Sequence, residues 1–242
     1  MGSHRESDVR SIPLMELRSV QQQVLIYIFT VRKGAIPFAF MQMAIGRRLA
    51  RKIPGVSFAK LMGTGTGKTF TPSDADLHQW AILFVTEDLK RVENSKFLSH
   101  WRKRSTAVET LILNTVSSHG KWSKREPFEI STAPRLGGPV VAITRARLKW
   151  SQAIRFWRSI PPVVLDLHQS PGLKFSIGIG EAPIGLQGTL SIWESESALR
   201  DFAYKNAPHR AAIADTKKFN WYSEELFARF DLVNTADFPH VH

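Results

Sequence analysis

The chain runs through the same succession of elements twice, and that repetition constrains its fold more than any single motif does. Residues 24–31 (VLIYIFTV) form a β-branched and aromatic run that reads as a strand, and 36–52 follow with helical spacing until Pro54-Gly55 stops them. Strands are predicted at 56–63 and 80–86, a helix at 87–104, and a fourth strand at 108–116 (VETLILNTV). The second pass places a strand at 140–148, a helix at 151–168 that Pro161-Pro162 should break or kink, and a stop at Pro171-Gly172. Strands at 174–181 and 189–193, a helix from about Ser195 and a strand at 226–232 (LFARFDL) complete it. The order is β-α-β-β-α-β both times. The predicted class is therefore α+β: two tandem ferredoxin-like repeats packed as a pseudo-dimer, sheets forming an eight-stranded barrel-like core with helices outside. Such packing leaves an apolar cavity between sheet and helices, a natural place for a flat cofactor. The implied boundaries are a polar arm at 1–22, a first repeat at 23–116, a Gly- and Pro-containing linker at 117–138, a second repeat at 139–234 and a tail at 235–242.

Composition narrows the function classes. The formal net charge of +12 invites nucleic acid, an anionic membrane or an acidic ligand as partner. The charge is spread, however, and its two clusters, Arg47-Arg48 with Arg51-Lys52 and Arg102-Lys103-Arg104, each end a predicted helix, where cations complement the helix dipole. The absence of cysteine excludes disulfides, thiolate nucleophiles, thiolate haem ligation and cysteine-based zinc or iron–sulfur sites. No apolar run is long enough to span a bilayer, and the N-terminus lacks an apolar signal region, which points to the cytoplasm.

Several familiar motifs fail on inspection. Residues 63–69 (GTGTGKT) lack the upstream glycine of a phosphate-binding loop, and Phe70-Thr71-Pro72 follows where a helix should start. Gly178-Ile179-Gly180 sits late in a strand and precedes Pro183 rather than a helix, so it is no dinucleotide fingerprint. Glycines there let something approach the backbone closely, either a cofactor ring or a neighbouring helix. No Gly-x-Ser-x-Gly elbow occurs. An RNA-recognition sheet would share the topology, but its aromatic motif is missing, and Trp150, Trp157, Trp193 and Trp221 lie in apolar-periodic segments suited to core or pocket. No nucleic-acid partner is expected.

Among eight histidines, His209 stands out by context. It follows Pro208, which ends the helix carrying Phe202, and it opens a new helical turn with Ala212 and Ile213 on its own face. An imidazole with small apolar neighbours at a helix break suits a proximal haem ligand, and it equally suits a helix cap or a core residue.

Taken together and in order, several strings resemble the spheroidene monooxygenase family of carotenoid biosynthesis. They include 62–67 (MGTGTG) with Phe70-Thr71-Pro72, Gly120-Lys121-Trp122 with Glu126-Pro127-Phe128, and 143–146 (ITRA). In the second half they include 174–181 (KFSIGIGE) with Pro183, Ser191-Ile192-Trp193, Phe202-Ala203 with Pro208-His209, and Trp221 with 224–230 (EELFARF). The resemblance spans nearly the whole chain apart from its tails. It implies a haem b protein of the dimeric α/β-barrel superfamily, with His209 as axial iron ligand, hydroxylating acyclic carotenoids at an allylic carbon and repeating the step to a ketone. With a neutral imidazole on iron, distal donors matter, and Arg145, Glu181 and Gln187 are the candidate catalytic groups. Lys174, Gly178, Trp193, Phe202, Ile213 and Trp221 join His209 as candidate haem contacts. The expected partners are an apolar small-molecule substrate and an electron donor such as a ferredoxin, with room for peripheral membrane contact and for an oligomer. Related haem barrels include aldoxime dehydratases, so a dehydratase or a non-catalytic haem carrier stays open, because fold alone does not choose the chemistry.

Overall fold

A computed structural model describes residues 21–66, 74–149, 151, 153–181, 186–205 and 221–234. Eight antiparallel strands close into a barrel in the order β1-β3-β2-β6-β7-β5-β8-β4. They are β1 (Gln23–Val31), β2 (Val56–Gly65), β3 (Ala75–Thr86), β4 (Ser105–Gly120), β5 (Val140–Leu148), β6 (Leu173–Gly180), β7 (Leu186–Trp193) and β8 (Tyr222–Leu232). Helices α1 (Ile36–Ala50), α2 (Leu89–Glu93), α3 (Lys96–Arg102), α4 (Ala153–Gln169) and α5 (Glu196–Lys205) lie between them in sequence. Closure leaves no open edge, which removes the usual liability of a long antiparallel sheet.

The near-continuous apolar run of β1 is explained by cover on both faces. Val24, Ile26 and Ile28 point into the barrel with Leu83, Leu113, Ile143, Ile177 and Phe230. Leu25, Tyr27 and Phe29 point outward into a second core formed with Ile82, Phe84, Leu98 and Trp101, on which α1 and α3 pack. The Phe29 and Trp101 rings sit 5.2 Å apart. In β8 the alternation is cleaner: Leu226, Ala228 and Phe230 are buried inside, whereas Glu225 and Phe227 are exposed outside.

Several expectations shift at their boundaries. The predicted helix 87–104 divides in two, because the Ser95 hydroxyl accepts a hydrogen bond from Leu98 N (3.2 Å) and starts a new helix. Strand β4 runs to Gly120 rather than ending at 116, since Ser117–Gly120 pairs with Leu226–Arg229 of β8. Of the break or kink expected at Pro161-Pro162, the break does not occur: α4 continues across both prolines, which are exposed.

The two Pro-Gly stops behave alike. Gly55 (φ +85°) and Gly172 (φ +82°) both take the left-handed conformation, and their carbonyls accept from Glu87 N (3.1 Å) and Glu194 N (2.8 Å) respectively. A Cβ on Gly172 would also lie 2.7 Å from the Cβ of Ala198 in α5. Gly172→Ala is therefore expected to lower stability by at least about 1–2 kcal/mol in equilibrium urea unfolding. An unchanged midpoint would mean that this turn relaxes freely.

Candidate functional site

The outward face of the barrel differs sharply between its two sides. On the first four strands it is filled by Leu25, Tyr27, Phe29, Ile82 and Phe84. On β6, where Phe175, Ile177 and Ile179 point inward, the outward positions between them are Ser176, Gly178 and Gly180. Their cross-strand neighbours on β7 are Ser191, Thr189 and Gln187, and beyond these on β5 stand Ala142 and Thr144. The other neighbour of β6 is the end of β2, in register Gly63↔Gly180 and Gly65↔Gly178. Two glycine pairs from distant parts of the chain thus form one patch, continued by Ser, Thr and Ala side chains, with Asp74 against Gly65 and the Trp80 ring beside Gly63. All four glycines are partly exposed. The Ser176 hydroxyl is buried and has no hydrogen-bond partner among the described residues. A polar atom in that condition needs a ligand or water to complete it.

Trp193 and Phe202 close one end of this surface. Their rings stack at 5.1 Å and 28°, joining β7 to α5, and Trp193 Nε1 donates to Ser191 Oγ at 3.0 Å. Trp221 is buried beside Tyr222, with its carbonyl accepting from Lys149 N (2.9 Å). Lys174 is half exposed and pairs with Glu194 at 3.4 Å. His209 and Ile213 lie outside the described residues, as does the side chain of Gln187. Among the described residues there is no group of three His, Asp or Glu placed to hold a metal ion.

Arg145 and Glu181 do come together, but inside one end of the barrel, on the face away from the glycine patch. Arg145 shares the inward face of β5 with Ile143 and is 2% exposed. Glu181 accepts hydrogen bonds from Trp122 Nε1 (2.6 Å), Arg145 Nη2 (3.3 Å) and Lys60 Nζ. Lys60 also donates to Ser123 Oγ (2.6 Å), and Arg145 Nη1 pairs with Glu224. Both cations lie over the Trp122 ring, at 5.5 and 5.7 Å from its centroid. Two cations and two carboxylates from β2, β5, β8 and the end of β6 are thereby neutralised in a nearly dry setting. Sequence reasoning did not single out Lys60 or Glu224 as part of a site. A signal existed in Lys60, a lone charge in the apolar run 58–62, because a buried charge must find a partner.

Burial pushes the Lys60 ammonium below its ordinary pKa, with Glu181 opposing the shift. Burial alone would raise Glu224, but the Lys124 and Ser123 N–H groups and the Arg145 guanidinium outweigh it and hold the carboxyl below its ordinary 4.5. Those two amides belong to left-handed, non-glycine residues, so Glu224 also clamps a strained turn. Since the folded pKa is depressed, the stabilisation is full above 4.5 and disappears as pH falls through the folded value. Urea-unfolding stability should therefore drop on acidification below 4.5, and Glu224→Gln should show a shallower drop. Parallel pH profiles would remove Glu224 from the acid response.

The fold and this surface define a class: a closed eight-stranded α+β barrel with paired glycines on its outward face. No protein-family model matches the chain. It is 38% identical over 208 residues to spheroidene monooxygenase of Rhodobacter capsulatus, covering 84% of this chain and 86% of that one. It is 35% identical over 199 residues to spheroidene monooxygenase of Cereibacter sphaeroides, covering 80% of this chain and 61% of that one. Among solved structures, a monooxygenase-like protein from Listeria innocua aligns at TM-score 0.31 and 14% identity, over 90% of this chain and 96% of that one. The chain belongs to the spheroidene monooxygenase family, and so to the oxidoreductases.

Proposed function

We propose that this protein is a haem b-dependent monooxygenase acting on an apolar, carotenoid-like substrate, with the haem lying against the glycine patch. The observation that carries this reading is the side-by-side placement of Gly63, Gly65, Gly178 and Gly180, four positions that add no side chain of their own to this face of the sheet. His209 would hold the iron, with Ile213 beside it; Trp193 and Phe202 would form an end wall, Trp221 an apolar border, and Lys174, which pairs with Glu194, would offer a cation to a propionate. Ser176 offers an unspent hydroxyl at the floor.

Haem supplies oxygen activation once reduced by an electron donor such as a ferredoxin. The chain's own residues bind, orient and exclude water. Gln187, in register with Ala146 and Gly180 beside the patch, would supply a hydrogen bond during oxygen activation in this reading. Arg145 and Glu181 act through position, fixing the end of β6, the strand that presents Gly178 and Gly180. The two halves, 23–116 and 139–234 joined by 117–138, are read as tandem ferredoxin-like repeats. The first carries large apolar side chains on its outward sheet face, and the second carries mostly Gly, Ser, Thr and Ala there, with Trp193 at one end.

The test is an absorption spectrum of the haem-reconstituted protein beside His209→Ala, with turnover of an acyclic carotenoid under reductant and oxygen. A Soret band of equal strength and position in both proteins would remove His209 from the site. Substrate conversion that persists without oxygen would replace the oxygenase by a dehydratase. Haem transfer to an apoprotein without any turnover would leave a carrier.

A further inference from the structure

Helix α1 is apolar on the wrong side. Its buried residues are Ala39, Gln42, Gly46 and Ala50, with Ile36, Phe38 and Met43 partly covered. A Cβ on Gly46 would fall 2.7 Å from Leu61 Cδ2, so the helix lies close on the sheet through its small residues. Its large side chains Phe40, Met41, Ile45 and Leu49 face water instead, each between 43% and 51% exposed. Met41, Ile45 and Leu49, four residues apart, line up in one row along the helix, and Phe40 stands beside its start with its ring against Trp80 at 5.1 Å. Single exposed apolar residues are ordinary, but a continuous row marks a surface that meets something.

Cations frame the row. Arg47, Arg48, Arg51 and Lys52 are exposed, and none of them forms an ion pair among the described residues. Beyond Leu49 a cleft of about 690 Å³ opens, with Lys52 on one side and Arg91, Lys96 and His100 on the other. From residue 32 to residue 52 there are six Lys or Arg and no carboxylate. The helix dipole accounts for cations at a C-terminus, but it does not account for the apolar row beside them.

We propose that the outer face of α1 docks this protein onto an anionic phospholipid surface. Phe40, Met41, Ile45 and Leu49 would enter the boundary between headgroups and acyl chains, and the cations around them would meet lipid phosphates. A second copy of the chain fits this face less well, because a two-fold pairing of α1 would set cation against cation with no carboxylate between. Among the described residues no helix is long and apolar enough to cross a membrane, so this contact is peripheral in kind. The inference does not depend on haem, since it concerns the opposite half of the barrel.

The experiment is co-sedimentation of the full chain with phosphatidylcholine vesicles, with and without phosphatidylglycerol, at low and high salt. The unaltered protein should partition onto the anionic vesicles and come off as salt rises. Phe40→Ser with Ile45→Ser, and separately Arg47→Glu with Arg48→Glu, should each weaken partitioning about tenfold or more. Arg47, Arg48 and Ile45 are exposed and Phe40 is half exposed with its ring against Trp80, so circular dichroism should stay unchanged and thermal unfolding should shift little. Retained binding in both variants overturns the proposal, as does equal binding to neutral vesicles. Loss of binding on deleting residues 1–20 with the α1 variants unaffected assigns the contact to the arm and overturns it too. Absence of lipid binding, with a dimer that the Phe40→Ser, Ile45→Ser variant dissolves, shows an interface between copies instead.

Discussion

A Gly178→Leu chain is expected to fold like the parent and to bind haem at least about tenfold more weakly, a loss of ~1.4 kcal/mol or more. Position 178 lies in the glycine patch, flanked by Gly65 on one side and Thr189 on the other. A planar ring resting there would touch the backbone at about 3.5–4.0 Å, the space that a leucine side chain would take. The strand itself should not suffer, because glycine in a strand interior is the weaker choice and leucine packs better. The effect should grow through Gly178→Ala, Gly178→Val and Gly178→Leu in a Soret titration, while far-UV circular dichroism stays constant. Equal haem uptake across the series would move the cofactor elsewhere and take the proposed function's structural support with it.

Glu181→Ala is expected to cost about 3–5 kcal/mol of stability, a large part of what a domain of this kind possesses. Glu181 is the shared partner of Lys60 and Arg145, each 2% exposed, and its removal leaves both cations with Glu224 as the remaining carboxylate. One buried positive charge then has no counterion. Pairing the change with Lys60→Met should restore most of the loss, because an apolar side chain needs no partner where a stranded ammonium does. Equilibrium unfolding in urea reads both variants. A single variant within about 0.5 kcal/mol of the parent would mean that water already reaches the cluster, so that it behaves as a surface pair.

How much of this was legible in the sequence depends on whether the information was local. The run 24–31 announced the strand β1, and β5 spans the predicted residues 140–148. The Pro-Gly stops and the Ser195 helix start lie where sequence placed them, because turn and cap chemistry is decided within a few residues. The ends of β3 and β4 were not readable: Ala75 and the Ser117–Gly120 stretch are weak strand formers, held by partners on β2 and β8.

The candidate site divides in the same way. Gly178, Trp193 and Phe202 stood out as residues, and they do lie on or beside one surface. What no local pattern could supply was that the glycines of 63–65 and those of 178–180 are neighbours, or that Arg145 faces the barrel interior. Alternation along a strand determines that successive residues take opposite faces, and sequence alone carried that much, together with the order of elements and their turns. Which face became the inside was decided by barrel closure, since only the joining of β2 to β6 and β4 to β8 gives the sheet an interior and sets distant residues side by side.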